Sequence, residues 1–321
     1  MTFTEELKQK IDAGLDITRE EALALVTVPL EELTTAANEL RAHKCKNRFD
    51  LCTIVNGKCG KCSEDCKYCA QSAHYHTDCQ ETYPLLSTEA LLADARHNKE
   101  QGVLRYSIVT SGKRLSDKEI DAVCESICEI RRQVGIEVCV SFGLLDEWQF
   151  GKVKKAGASR VHCNLESSRR FFSQICTTHT YEDKITALRA AKNAGLSICS
   201  GGIMGLGETM EDRIDMALDI RALGVKSIPV NLLNPIKGTP YEKNEILPYD
   251  VFCRIIAIYR FLIPDGYIRL AGGRGLVGDQ GERCFQSGAN AAISGDMLTT
   301  AGITVATDMA LVKKLGYEVI L

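Results

Sequence analysis

The sequence predicts an α/β protein, a (β/α)8 TIM-type barrel with an N-terminal helical cap. Three observations carry this expectation. Eight short apolar runs alternate with amphipathic helical stretches, which implies parallel strands joined by crossover helices. Five of those helical stretches are followed at once by a glycine, the left-handed stop expected at a helix end. The chain has 321 residues, 45% of them hydrophobic, enough to close eight such units around one core.

Residues 1–44 read as a helical extension. Thr18 with Glu21 three positions on is a capping box, and Pro29 stands at the start of a second helix. No chemistry is recognisable there, so this segment is expected to be a cap on the barrel of residues 45–321. The expected strands are Leu51–Asn56, Leu104–Val109, Glu137–Ser141, Arg160–Asn164, Ser197–Gly201, Ser227–Asn231, Tyr267–Leu270 and Ala291–Ser294. Between them lie the helical patterns Thr88–Gln101, Asp117–Val134, Asp146–Ala156, Glu182–Ala194 and Met210–Leu223, stopped by Gly102, Gly135, Gly157, Gly195 and Gly224.

Composition narrows the function. A net charge of −3 and the lack of any long basic run give no reason to expect nucleic acid. The N-terminus mixes acidic and basic residues, unlike a signal peptide, and no apolar stretch is long enough to span a bilayer. The reading is a soluble, cytoplasmic protein. Its 15 cysteines then point to metal ligation or catalysis rather than a disulfide framework. Cys124, Cys128 and Cys253 fall in helical patterns and are read as small buried apolar residues.

Cys62-x-x-x-Cys66-x-x-Cys69 is the densest chemical signal. It follows the first strand and so falls on the catalytic face of a barrel. Four ligands would close a structural zinc site, but this run supplies three, which leaves one metal position open. C-x3-C-x2-C with an aromatic, Tyr68, before the last cysteine resembles the radical S-adenosylmethionine (SAM) signature; a zinc knuckle is the alternative. Other strand ends carry Cys139, Asn164, Cys199, Asn231 and Arg269. The run Cys199–Thr209 is rich in glycine, which lets a backbone approach a ligand closely, and Gly201-x-Ile203-x-Gly205-x-x-Glu208 resembles the loop beside SAM in such enzymes.

Cys62–Ser72, Asn164–Ser168, Thr177–Tyr181, Cys199–Thr209, Pro229–Asn231, Lys237–Pro240 and Leu298–Thr300 occur in the order found in the biotin synthase family, a resemblance covering roughly residues 40–321. It implies conversion of dethiobiotin to biotin: a reduced 4Fe–4S cluster cleaves SAM, the resulting radical takes hydrogen from unactivated carbons, and an auxiliary iron–sulfur cluster supplies sulfur. Cys62, Cys66 and Cys69 match the 4Fe–4S ligands, with SAM chelating the fourth iron. Tyr68, Glu166, Gly205 and Glu208 match the SAM site; the family commonly has aspartate where Glu166 stands. Asn164 and Asn231 match the contacts to the ureido ring, which needs both donors and acceptors. No residue is assigned as an acid or base. Flavodoxin or ferredoxin as electron donor and a homodimer are implied likewise.

The chain departs from the family at the auxiliary site. The family holds a 2Fe–2S cluster with three cysteines and an arginine. Cys139, Cys199 and Arg269 match, but Ser107 stands where the remaining cysteine belongs, and a serine oxygen is a much poorer iron ligand. Cys163 stands where the family usually has histidine. The expectation is a moved ligand set, Cys139, Cys163 and Cys199 with Arg269, holding a four-iron cluster with an extra sulfide. Cys52, Cys59 and Cys79 flank the triplet and are assigned to its loop, as is His74-x-His76-x-x-Cys79; Cys45, Cys176 and Cys284 receive no role. The competing readings are another radical SAM barrel, such as a hydrogenase-maturase-like protein, and a non-catalytic iron–sulfur protein.

Overall fold

A computed structural model describes residues 1–78 and 81–320. The chain opens with three helices, α1 (Phe3–Asp12), α2 (Arg19–Ala24) and α3 (Leu30–Cys45). The capping box at Thr18 forms: its hydroxyl accepts from Glu21 N at 3.2 Å, and Glu21 accepts from Thr18 N at 2.6 Å. Pro29 caps α3, where a missing N–H costs nothing. The strands follow in the expected alternation: β1 (Arg48–Lys58), α4 (Thr88–Glu100), β2 (Arg105–Thr110), α5 (Asp117–Gln133), β3 (Glu137–Ser141), α6 (Glu147–Lys155), β4 (Ala158–His162) and α7 (Tyr181–Asn193). The second half runs β5 (Ser197–Cys199), β6 (Gly202–Met204), α8 (Met210–Ala222), β7 (Ser227–Leu232), α9 (Tyr249–Leu262), β8 (Tyr267–Leu270), α10 (Glu282–Gln286), β9 (Ala291–Ser294), α11 (Val305–Lys314) and β10 (Glu318–Val319).

Every pairing between these strands is parallel, and β1 pairs with β2 on one side and β9 on the other. That closes the eight-position barrel. The fifth position is not the continuous strand expected: β5 and β6 are separated at Ser200-Gly201, and each pairs with β7. A Cβ on Gly201 would stand 1.8 Å from the Pro229 carbonyl oxygen, so only glycine lets the chain pass β7 this closely. The fourth strand ends at His162 rather than Asn164, because Glu166 turns the backbone out at φ +70°. A strand the sequence did not announce, β10, lengthens the sheet beside Arg48 and Phe49.

The N-terminal helices share the barrel's core. Leu33, Ala37 and Leu40 of α3 belong to one apolar cluster with Phe252, Ile255 and Tyr259 of α9. Arg260, fully buried in the same region, gives its donors to the carbonyls of Pro264, Gly266 and Gly288, to Asn290 and to Cys45 Sγ. On α5 the buried stripe is Ile120, Val123, Ile127 and Ile130. Cys128 lies off that stripe and is exposed, against expectation; Cys124 is half-buried and Cys253 buried.

Candidate active site

The barrel opens at the C-terminal ends of its strands into a cavity of about 420 Å³. Its mouth is the loop after β1. That loop is pinned to itself by Cys62 N to Gln71 O (3.1 Å), Ala73 N to Cys62 O (2.8 Å) and Cys69 N to Cys66 O (3.0 Å). Asp65 fastens it to the segment after β4, accepting from Thr177 N at 2.8 Å and Thr178 N at 3.2 Å. The thiols of Cys62, Cys66 and Cys69 all line the cavity. Gly112 N–H points at Cys62 Sγ from 3.3 Å, the contact a thiolate ligand accepts from the backbone. The three thiols on a preorganised loop fit an iron–sulfur cluster held by three cysteines.

Beside the loop lie the residues expected to form the SAM site. Glu166 is buried, and its left-handed backbone is locked by Glu166 N to Gly201 O (3.0 Å) and Ile203 N to Glu166 O (2.9 Å). Its Oε2 is buried without a partner among the described residues, an acceptor held ready for hydroxyl donors. Burial, with the Glu166 carboxylate alongside, pushes the Tyr68 phenol well above its ordinary value. Gly205 has φ +104° and donates to Glu208 Oε1 (2.9 Å), which also takes Arg213 Nε at 2.7 Å. Glu208 therefore braces its own loop with one oxygen, while Oε2 has no partner among the described residues.

Asn164 Oδ1 accepts from Gly201 N at 3.0 Å. Asn231 donates to Gly202 O (3.0 Å) and accepts from Gly272 N (2.8 Å). Backbone contacts thus orient both asparagines at the cavity wall. Lys184 of α7 was missed by the sequence reading. It is buried, lines the cavity, and is held charged against the cost of burial with the Glu166 carboxylate nearby. The signal was present: Lys184 falls on the apolar face of α7 with Tyr181, Ile185 and Leu188.

The cavity floor is a buried charge cluster. Asp50 of β1 is met by Arg269 (2.9 Å), Arg160 (3.1 Å) and Arg105 (3.2 Å). Burial pushes the Asp50 carboxyl up, but the three guanidiniums outweigh it and hold it at about 2. Three cations on one anion leave positive charge beneath the thiols. Cys52 Sγ accepts from Arg269 Nη1 at 3.1 Å, and Cys199 Sγ lies 3.2 Å from Ser227 Oγ. Burial pushes Cys52 up to about 12 and Cys139 upward also, while His162, Arg160 and Arg269 overcome burial to bring Cys199 down to about 7. Cys139 pairs in register with Ser107 on one side and Arg160 on the other.

The structure thus groups Cys52, not Cys163, with Cys139, Cys199 and Arg269. The ionisable groups acting on Cys52 are Arg269, Asp50, Cys139 and Cys199; those acting on Cys163 are Lys184 and Glu166. Cys163, one residue past the end of β4, also lines the cavity, but it joins the apolar core cluster and faces Lys184 and Glu166 rather than Arg269. Cys52 was assigned to a loop although it lies within the first expected strand, where alternate residues face inward. Of the other cysteines, Cys59 is buried beside the Tyr83 segment, and Cys253 and Cys284 lie 3.7 Å apart in the core. Cys79 is outside the described residues. Cys176 stands 3.8 Å from Cys66.

Comparison with known proteins matches residues 58–220 to the Radical SAM superfamily and residues 229–318 to the Biotin and Thiamin Synthesis associated domain. A protein named biotin synthase from Brachyspira hyodysenteriae is 58% identical over 98% of this chain and 94% of its own. Another so named, from Akkermansia muciniphila, is 57% identical over 99% of both chains. Among solved structures, a methylornithine synthase superposes with a TM-score of 0.84 at 18% identity, covering 98% of this chain and 97% of that one. The FeFe-hydrogenase maturase from Carboxydothermus hydrogenoformans gives 0.81 at 18%, covering 98% and 78%. At such identities the structures attest the barrel alone, while relatives above half identity attest the family.

Proposed function

The chain belongs to the biotin synthase family of radical SAM enzymes, and we propose that its sulfur comes from an auxiliary cluster held by Cys52, Cys139 and Cys199 beside Arg269. The enzyme is a radical SAM sulfurtransferase that converts dethiobiotin to biotin. The observation that carries the proposal is the barrel floor, where those three thiols line one cavity with Arg269, whose Nη1 lies 3.1 Å from Cys52 Sγ.

Cys62, Cys66 and Cys69 would hold the 4Fe–4S cluster. When bound, cluster and SAM supply a one-electron route to a carbon radical strong enough for an unactivated C–H bond, which no side chain here could supply. The protein's own contribution is placement and exclusion of water. Lys184 offers a buried cation to the SAM carboxylate, Glu166 Oε2 accepts from ribose hydroxyls, and Tyr68 covers the adenine. Asn164 and Asn231 present amide donors and acceptors to the ureido ring from fixed rotamers. Cys52, Cys139 and Cys199 would hold the auxiliary cluster at the cavity floor, and that cluster would supply the sulfur.

The auxiliary cluster is read as a four-iron cluster with an extra sulfide. The support is the excess positive charge of Arg105, Arg160 and Arg269 around Asp50, offset further only by Glu137 beside Arg105 among the described residues, which suits an anionic group. Ser107 is then a spectator on β2, its thiol function taken over from β1. The homodimer, the cytoplasmic location and a flavodoxin or ferredoxin donor rest on family membership; no described helix is long and apolar enough to cross a membrane.

The test is anaerobic reconstitution followed by assay with SAM, dethiobiotin and a low-potential reductant. Biotin should form, with 5′-deoxyadenosine release dependent on dethiobiotin. Iron should reach about eight per chain, as two four-iron clusters require. About six irons would refute the four-iron auxiliary cluster, and SAM cleavage indifferent to dethiobiotin would refute the substrate pocket.

A further inference from the structure

Behind the cluster loop lies a second group of ligand atoms that the reaction does not use. Cys176 and His179 come from the segment between β4 and α7, and both are buried. Cys176 Sγ lies 3.8 Å from Cys66 Sγ and 3.3 Å from His179 Nδ1. Two carboxylates close the group: Asp65 Oδ1 is 3.1 Å from Cys176 Sγ, and Glu64 Oε2 is 2.6 Å from His179 Nδ1. The far nitrogen of the ring, Nε2, is buried without a partner among the described residues. The ring packs beside Phe172, with centroids 5.6 Å apart, and turns Nδ1 toward this cluster of donors.

The separations are those of ligands on one ion. Zinc-type bonds of about 2.3 Å to sulfur and about 2.0 Å to nitrogen in a tetrahedron put two sulfurs about 3.8 Å apart and sulfur and nitrogen about 3.5 Å apart. We propose that, before the 4Fe–4S cluster is built, Cys66, Cys176 and His179 bind a single thiophilic divalent cation, Fe2+ or Zn2+, with Glu64 or Asp65 as fourth ligand. Binding releases the Cys66 and Cys176 thiol protons to solvent, leaves the imidazole its one proton on Nε2 and changes no oxidation state. The site is tetrahedral and mixed in sulfur and nitrogen, the donor set that selects zinc and iron over magnesium or calcium.

Because Cys66 also belongs to the cluster triplet, the two occupancies exclude one another. This consequence rests on the cluster reading above; the mononuclear site does not. With Fe2+ the site is an entry point that delivers the first iron beside the triplet. With Zn2+ it is a trap that withholds Cys66 from assembly.

The experiment uses the full chain stripped of iron and titrated anaerobically with Co2+ alone. One Co2+ per chain should bind with thiolate-to-cobalt charge-transfer and tetrahedral visible bands, and Zn2+ should displace it. Cys176→Ser and His179→Gln should each lose these bands while keeping native circular dichroism and still accepting the 4Fe–4S cluster. Cys62→Ser should keep the cobalt bands and lose the cluster. Excess Zn2+ should slow cluster reconstitution in the unmodified chain and not in Cys176→Ser. Absence of the cobalt bands from the unmodified chain, or their survival in Cys176→Ser, overturns the proposal. A normal cluster in Cys62→Ser would instead overturn the assignment of the triplet.

Discussion

Replacing Asp50 by Asn tests the charge cluster on which the auxiliary site is built. The carboxyl is buried to 1% exposure and meets three guanidiniums at 2.9–3.2 Å. Its fall from the ordinary 3.8 to about 2 corresponds to about 2 kcal/mol of stability. The sign is that of a depressed acid. The contribution is present in full well above pH 3.8 and is lost as pH falls toward 2. Breaking a buried ion pair by removing one partner costs about 3–5 kcal/mol, so the neutral but isosteric Asn should fall near the lower figure. Urea unfolding of the iron-free full chain should show Asp50→Asn less stable by about 2–3 kcal/mol at pH 7, the gap shrinking to roughly half by pH 3. A gap under about 0.5 kcal/mol, or one unchanged between pH 7 and pH 3, would refute the view that Asp50 is the ionised counter-charge of the three arginines.

Four further outcomes follow from particular contacts. Cys52→Ser should cut iron from about eight to about four per chain and abolish biotin formation, whereas Cys163→Ser should leave iron content unchanged; the reverse result would restore Cys163 as the ligand. Lys184→Met removes a buried cation from the SAM pocket and should raise the KM for SAM at least about tenfold, as loss of a charge-assisted hydrogen bond does, with cluster absorbance retained. Arg274 and Asp308 form a bidentate pair, both bonds 2.6 Å, that ties the turn after β8 to α11; Arg274→Met should cost about 3–5 kcal/mol by thermal or urea unfolding, and adding Asp308→Leu should recover most of it. Gly201→Ala forces a methyl against the Pro229 carbonyl, and soluble yield and melting temperature should both drop sharply.

Local chemistry made much of this protein legible before any tertiary contact was known. Ligand spacing in Cys62–Cys69 is a property of eight consecutive residues, so the cofactor class could be read directly. Strand and helix alternation, with glycines at the helix ends, likewise carried the barrel, because periods of 2 and 3.6 are written into neighbouring positions. That Asn164 and Asn231 line the cavity was legible because strand ends in a barrel converge on one face.

What the sequence alone could not decide was which distant cysteines meet. Cys52 lies on β1, Cys139 on β3 and Cys199 on β5, and their grouping depends on barrel register and on which parity of each strand faces inward. A single-residue shift reverses that parity. It leaves Cys163, one step after His162, at the cavity wall beside Lys184, and it turns Cys52 onto Arg269. The sequence by itself determined the enzyme class and put the cysteine triplet at the mouth of the barrel; only closure of the sheet, by bringing β9 back to β1, decided which thiols line the cavity floor, because that meeting is a long-range consequence of strand register that no local spacing records.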